Sequence, residues 1–159
     1  MSASTLRTRP PATLIRAFAA TFPARQAAVM TTGPGGTVWV AAAPNGSDLL
    51  HLAAPELDAH LAFRLSRPGA PACRHDVIGV PLPPWGLYVG AVGWAWAAQG
   101  HTVPGLDAVV LSEQGVGPGF VWETGLAFAA AWQDLGGWPL PPGGLLGLMS
   151  RLGGFFRDG

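Results

Sequence analysis

The chain has 159 residues, of which 23 are Gly and 16 Pro, while charged side chains reach only 11% and apolar ones 49%. That excludes a disordered polyelectrolyte and supplies apolar material for one core, so a single domain over 1–159 is expected. Nine cations balance nine anions, all nine cations are Arg, and Lys is absent, which leaves no basic surface for nucleic acid and no lysine for Schiff-base or Walker-A chemistry.

The first ten residues are expected to be flexible. Their arginines lead into an amphipathic stretch carrying Arg16, not into an uninterrupted apolar run, so no signal peptide is read. Leu14, Ile15, Phe18 and Phe22 recur at helical spacing, with Pro23 as a stop, and predict a short amphipathic helix. Runs 27–32 and 37–42 are β-prone and flank Gly33-Pro34-Gly35-Gly36, a strand, turn, strand signal. After the Asn45-Gly46 turn, 49–52 and 61–65 give weaker strand signals, the second alternating Leu61, Phe63 and Leu65 against Ala62 and Arg64. The first half is therefore expected to form an antiparallel sheet.

Residues 67–84 hold five prolines and two glycines without periodicity, the mark of an irregular surface connection. A helix is predicted from Trp85 to Ala98, with Leu87, Ala91, Trp94 and Ala98 on one face and a stripe of Gly86, Gly90 and Gly93 that would admit a close neighbour. No charged residue lies between Asp76 and Asp107. The apolar run 87–98 is nevertheless too short to span hydrocarbon, so no membrane is expected. Leu106 to Ser112 reads as a buried strand, 113–119 as a glycine loop, and Val121 to Leu135 as a second apolar helix ended by Gly136-Gly137. Pro139, Pro141 and Pro142 precede a last apolar segment, Leu145 to Phe156. No long internal repeat is present.

One cysteine, Cys73, permits neither an internal disulfide nor a thiolate cage, and a cytoplasmic location is expected. Cys73, His75 and Asp76 lie too close in sequence to converge on one metal, and His51, His60 and His101 form no triad with any nucleophile. The informative unit is 106–135, where a strand feeds a loop with Gly115, Gly117 and Gly119 that opens a helix. Such a loop can present backbone amides to an anion at the positive end of the helix dipole, or can simply be a tight turn.

Leu87-Tyr88-Val89-Gly90-Ala91-Val92 and Gly100-His101-Thr102-Val103-Pro104-Gly105-Leu106-Asp107-Ala108-Val109-Val110 resemble the corresponding helix and strand of galactokinases, in the GHMP family of small-molecule kinases. Val116-Gly117-Pro118-Gly119-Phe120 falls where that family carries its phosphate loop, Pro-Leu-Gly-Ala-Gly-Leu-Ser-Ser-Ser-Ala. Gly36 to Val40 resembles its second strand, and 12–22 its opening helix. The resemblance covers nearly the whole chain at low identity. It implies an α+β domain of the ribosomal protein S5 domain 2 type, with an antiparallel or mixed sheet packed on helices, equivalent to a galactokinase N-terminal domain. It also implies ATP and Mg²⁺ as cofactors, with Trp85 and Tyr88 bordering the adenine and Gly117, Gly119, Phe120 and Thr124 around the phosphates.

The departures are as pointed as the matches. Val121, Trp122 and Glu123 stand where the family has three serines, so hydroxyls for phosphate and Mg²⁺ give way to apolar bulk and a negative charge. Glu123 with Thr124 could hold a metal, although a carboxylate in a first helical turn needs no such reason, and no metal site is assigned. The family's Gly-Arg-Val-Asn-Leu-Ile-Gly-Glu-His-Thr-Asp-Tyr-Asn stretch, which meets sugar and nucleotide, has no counterpart near Arg25 to Met30. The sequence also stops at Gly159, before the family's catalytic Asp segment and C-terminal domain, so no catalytic residue is assigned.

The expectation is a pseudoenzyme with nucleotide binding weakened or lost, acting in binding or assembly. The alternative is an ATP-dependent sugar kinase half completed by another chain. The seven tryptophans are expected to be mostly core, whereas the apolar tail 145–156, on a domain without the family's C-terminal half, predicts an exposed patch and with it a homodimer or a complex with another protein chain.

Overall fold

The computed structural model describes residues 9–66, 71–113 and 115–157. The flexibility expected of 1–10 therefore falls, for 1–8, outside the described residues. Helix α1 (Ala12–Thr21) starts after extended Pro11, buries Leu14 and Phe18, and stops ahead of Pro23, which has no amide to continue it. Strands β1 (Val29–Thr32) and β2 (Val38–Pro44) form the antiparallel hairpin that the glycine turn predicts. A second antiparallel hairpin, β3 (Leu49–Ala54) and β4 (Ala59–Arg64), turns through a short 3-10 helix at Pro55–Leu57.

The two hairpins do not pair with each other. Strand β5 (Leu106–Ser112) lies between them, antiparallel to β2 and parallel to β3, so the five-stranded sheet is mixed, in the order β1-β2-β5-β3-β4. Its centre is apolar on both faces, which is why 38–43 and 106–110 read as nearly continuous apolar runs. Val38, Val40, Ala42, Leu50, Leu52, Leu106, Ala108 and Val110 enter the main core. Trp39, Ala41, Ala43, Ala53 and Val109 face the other way and are covered by Leu14 and Phe18 of α1. The architecture is thus α+β in three layers, with α1 on one face and the remaining helices on the other.

Helix α2 (Pro84–Ala98) keeps part of the predicted face: Ala91 is sealed and Leu87 and Trp94 pack half-buried against the core, whereas Ala98 is exposed. Val89, Val92 and Trp96 are also sealed, so the helix is buried on more than that face. The glycine stripe makes the close contact expected of it. A β-carbon on Gly86 would stand 2.7 Å from Leu61, one on Gly90 3.4 Å from Phe63, and one on Gly93 2.8 Å from Leu65. Leu61 and Phe63 of β4 and Leu65 just after it therefore seat on the three glycines in turn. Trp96 donates its indole N–H to the Ala129 carbonyl at 3.2 Å, and Trp94 turns away to meet Phe155.

Helix α3 (Phe120–Gly136) lies beside α2 and over β1 and β2. Gly137 ends it in the left-handed region at φ 63°, with its amide returned to Gln133. The last apolar segment forms two short helices, α4 (Gly144–Met149) and α5 (Leu152–Arg157). The break at Ser150 and Arg151 lets Leu148 and Met149 before it and Leu152 and Phe155 after it all reach the core. Residues 71–83 form the expected irregular connection, with an isolated β-bridge between His75 and Pro81 and with the Val77 amide donated to the Ala62 carbonyl of β4 at 2.9 Å. Among the described residues no helix is long and apolar enough to cross a membrane.

Candidate functional site

The end of β5, the glycine loop and the start of α3 enclose a cleft of about 190 Å³, with Thr37 and Val38 of the neighbouring hairpin as its other wall. Several bonds fix its shape. Ser112 donates its hydroxyl to the Gly115 carbonyl at 2.6 Å, and its amide is held by a Glu56 carboxylate oxygen at 2.7 Å. Glu113 donates its amide to Thr37 at 2.7 Å, and Phe120 donates its own to Gly117 at 3.0 Å. One of the leading donors of α3 is therefore already engaged inside the loop.

Gly117, Gly119 and Phe120 meet at this cleft as the strand, loop, helix reading expects. Both glycines are exposed, and open space surrounds the positions where their β-carbons would stand. Phe120 is only 4% exposed and closes the floor toward the core. Thr124 is fully buried, and its hydroxyl has no hydrogen-bond partner among the described residues. Trp85 is 6% exposed within the main core. Tyr88 packs edge-on against Trp122, with ring centres 6.4 Å apart, and against Phe156 at 5.6 Å. Neither Trp85 nor Tyr88 lines the cleft, so the six residues divide between the cleft, the core and an aromatic cluster beside α3.

Glu123 decides the electrostatics. One of its carboxylate oxygens accepts the Gly35 amide at 3.0 Å, joining the turn of the first hairpin to the first turn of α3. The approach is so close that a β-carbon on Gly33 would collide with the same carboxylate and stand 2.9 Å from the Glu123 carbonyl oxygen. Glu123 is also the only charged residue among those lining the cleft. A phosphate oxygen about 4 Å from it would be repelled by about 1 kcal/mol in a water-like medium and about 4 kcal/mol in a partly shielded one, per unit charge. Among the described residues no cation lines the cleft to offset this, which disfavours an unaccompanied phosphate beside Glu123.

Among the described residues no three of His, Cys, Asp or Glu converge as a metal site. Asp76 turns its carboxylate onto the amides of Ile78 and Val80, at 3.0 and 2.8 Å, and so closes a surface turn. Cys73 donates its thiol to the His75 carbonyl at 3.2 Å. His101 stacks on Trp138 with centres 4.3 Å apart. Sequence reasoning places Glu123 at a helix start but misses its contact with Gly35, for which a carboxylate near a helix N-terminus gives no local sign.

No family model matches the chain, and no curated protein matches it in sequence.

Proposed function

We propose that the chain is a galactokinase-like domain of the GHMP kinase family, of the S5 domain 2 type, that keeps the scaffold and acts in binding or assembly without kinase chemistry of its own. The observation that carries this reading is the Glu123 carboxylate on the Gly35 amide, at the head of the strand, loop, helix unit. A phosphate loop works by aiming free amides and hydroxyls at an anion in a site of positive potential. Here a strand, a glycine loop and a helix follow one another in the order such a loop needs, while the charged side chain lining the cleft is the Glu123 carboxylate.

Other features support the same reading. Thr124, the one hydroxyl in the row after the loop, is sealed away from solvent. Trp122, in the row where the family has serines, is 40% exposed and packs on Tyr88. Positioning and charge stabilisation are nearly all that a protein contributes to phosphoryl transfer, and this cleft supplies neither.

Calorimetric titration of the full chain with Mg-ATP tests the reading. No saturable heat is expected at millimolar nucleotide. A micromolar, saturable isotherm would instead favour an ATP-dependent sugar kinase half completed by another chain.

A further inference from the structure

The Asn45-Gly46 turn that joins β2 to β3 carries a chemistry of its own. Asn45 is the only asparagine in the chain. A glycine follows it, so no side chain shields the nitrogen of residue 46 from the side-chain carbonyl carbon of Asn45. Gly46 is exposed, at φ 77°, with open space where a β-carbon would stand. That left-handed φ favours glycine, so the residue that makes the turn also leaves the asparagine open to attack.

The fold holds this pair still. Asn45 donates its side-chain amide to the Leu49 carbonyl at 2.9 Å and to an Asp107 carboxylate oxygen at 3.2 Å. Its side-chain oxygen accepts the Ser47 amide at 3.0 Å and the Ser47 hydroxyl at 2.8 Å. The Asn45 backbone amide goes to the Gly105 carbonyl at 3.1 Å, and the Gly105 amide goes to Ser47 at 2.9 Å. Gly105 is packed so closely that a β-carbon there would collide with the Leu49 and Ser47 carbonyls and stand 2.9 Å from the Asn45 side-chain oxygen. Asn45 thus ties the end of β2 to the starts of β3 and β5. Of the charged groups around it, Asp107 holds Arg25 with its other oxygen at 3.3 Å, and Asp48 holds Arg64 at 2.9 Å.

We propose that Asn45 is a deamidation site gated by opening of this turn, and that the product weakens the turn once formed. The Gly46 nitrogen gives its proton to solvent base and bonds to Asn45 Cγ. The Cγ–Nδ2 bond breaks, and Nδ2 takes a proton from water and leaves as ammonia. Water then opens the five-membered imide at either carbonyl, to aspartate or isoaspartate, so the net change is amide and water to carboxylate and ammonia, without oxidation or reduction. Closing the ring takes Nδ2 from both of its acceptors and the side-chain oxygen from Ser47, so the closed turn resists the reaction and the opened turn undergoes it. The product places a carboxylate where Nδ2 donated to Asp107 at 3.2 Å. A donor is lost there and two like charges face each other at the junction of β2, β3 and β5. Each opening that ends in reaction is therefore recorded irreversibly, and the marked chain opens more readily.

Mass spectrometry of the full chain, incubated in mildly alkaline buffer either folded or in guanidinium chloride, tests the inference through the amide-to-acid mass gain on the tryptic peptide 26–64. The denatured chain is expected to react at Asn45, and the folded chain at least about tenfold more slowly. Ser47→Ala removes one donor from the Asn45 oxygen and leaves Gly46 in place, so it should raise the folded rate and not the denatured one. Asn45→Asp should melt below the wild type at neutral pH. Equal rates in the folded and denatured chains, or a folded rate unmoved by Ser47→Ala, would overturn the gating. Asn45→Asp melting with the wild type would overturn the weakening, and the two rate comparisons hold whether or not that variant folds.

Discussion

Glu123 reaches across 88 positions of sequence to hold the Gly35 amide, and that bond joins the first hairpin to the start of α3. Replacing it with Ala removes the acceptor and is expected to cost about 1 kcal/mol in urea unfolding. Glu123→Gln keeps an acceptor oxygen and should cost less. Gly33→Ala is the harsher change, because its new methyl would meet both the carboxylate and the backbone carbonyl of Glu123, and a loss of about 1–3 kcal/mol is expected. Removing the carboxylate relieves only part of that clash. The double variant should therefore lose less than the sum of the single losses, and additive losses would argue against the contact. At this scale the sequence is only half legible. The glycine loop and its neighbours at 117–120 follow from local pattern, whereas the partner of Glu123 is fixed by how a distant turn packs.

Among the elements, α2 shows how a strong pattern can hide its own orientation. A helix buried nearly all round has no polar face to mark the outside, so Leu87, Ala91, Trp94 and Ala98 are as plausible a packing face by spacing as the glycines. The glycines are identified by what sits on them. At Gly93 a β-carbon would meet Leu65 at 2.8 Å and the ring of Trp132 at 3.2 Å, and that ring is pinned by its N–H bond to Pro104 at 3.0 Å. Gly93→Ala should destabilise the fold despite a helix-propensity gain of about 1 kcal/mol. Gly86→Ala, which meets only the tip of half-buried Leu61 beside its own helix entry, should be nearly neutral. Thermal melts of the two variants measured side by side would check this, and equal shifts would contradict it.

The C-terminal helix depends on a similar distant contact. Arg74 donates to the Phe155 carbonyl at 2.8 Å, and its guanidinium lies 5.0 Å from the Phe155 ring centre. Both interactions favour the end of α5, where carbonyls lack helical partners. Arg74→Ala is expected to speed amide hydrogen exchange across 152–157 while leaving the exchange of β2 and β5 unchanged. A uniform loss of protection would show instead that α5 is integral to the whole core.

At the scale of the molecule, several element positions follow from periodicity, since β5, α2 and α3 begin and end within a residue of where their patterns do. The order of the sheet does not. Placing β5 between the two hairpins is a choice among long-range pairings that no local window encodes, and only the two-sided apolar character of 38–43 and 106–110 hints that these strands are central. The break between α4 and α5 is equally silent in the sequence, because Leu145 to Phe156 contains no proline to announce it.

The central proposal is that the cleft at Gly117 and Gly119 descends from a phosphate loop and no longer takes an anion. Amide NMR titration with Mg-ATP reads this directly, by following the resonances of Gly115, Gly117, Gly119, Phe120 and Gly35. The account predicts that they stay in place at a large excess of nucleotide. Saturable shifts centred on Gly119, accompanied by release of the Gly35 amide from Glu123, would contradict it.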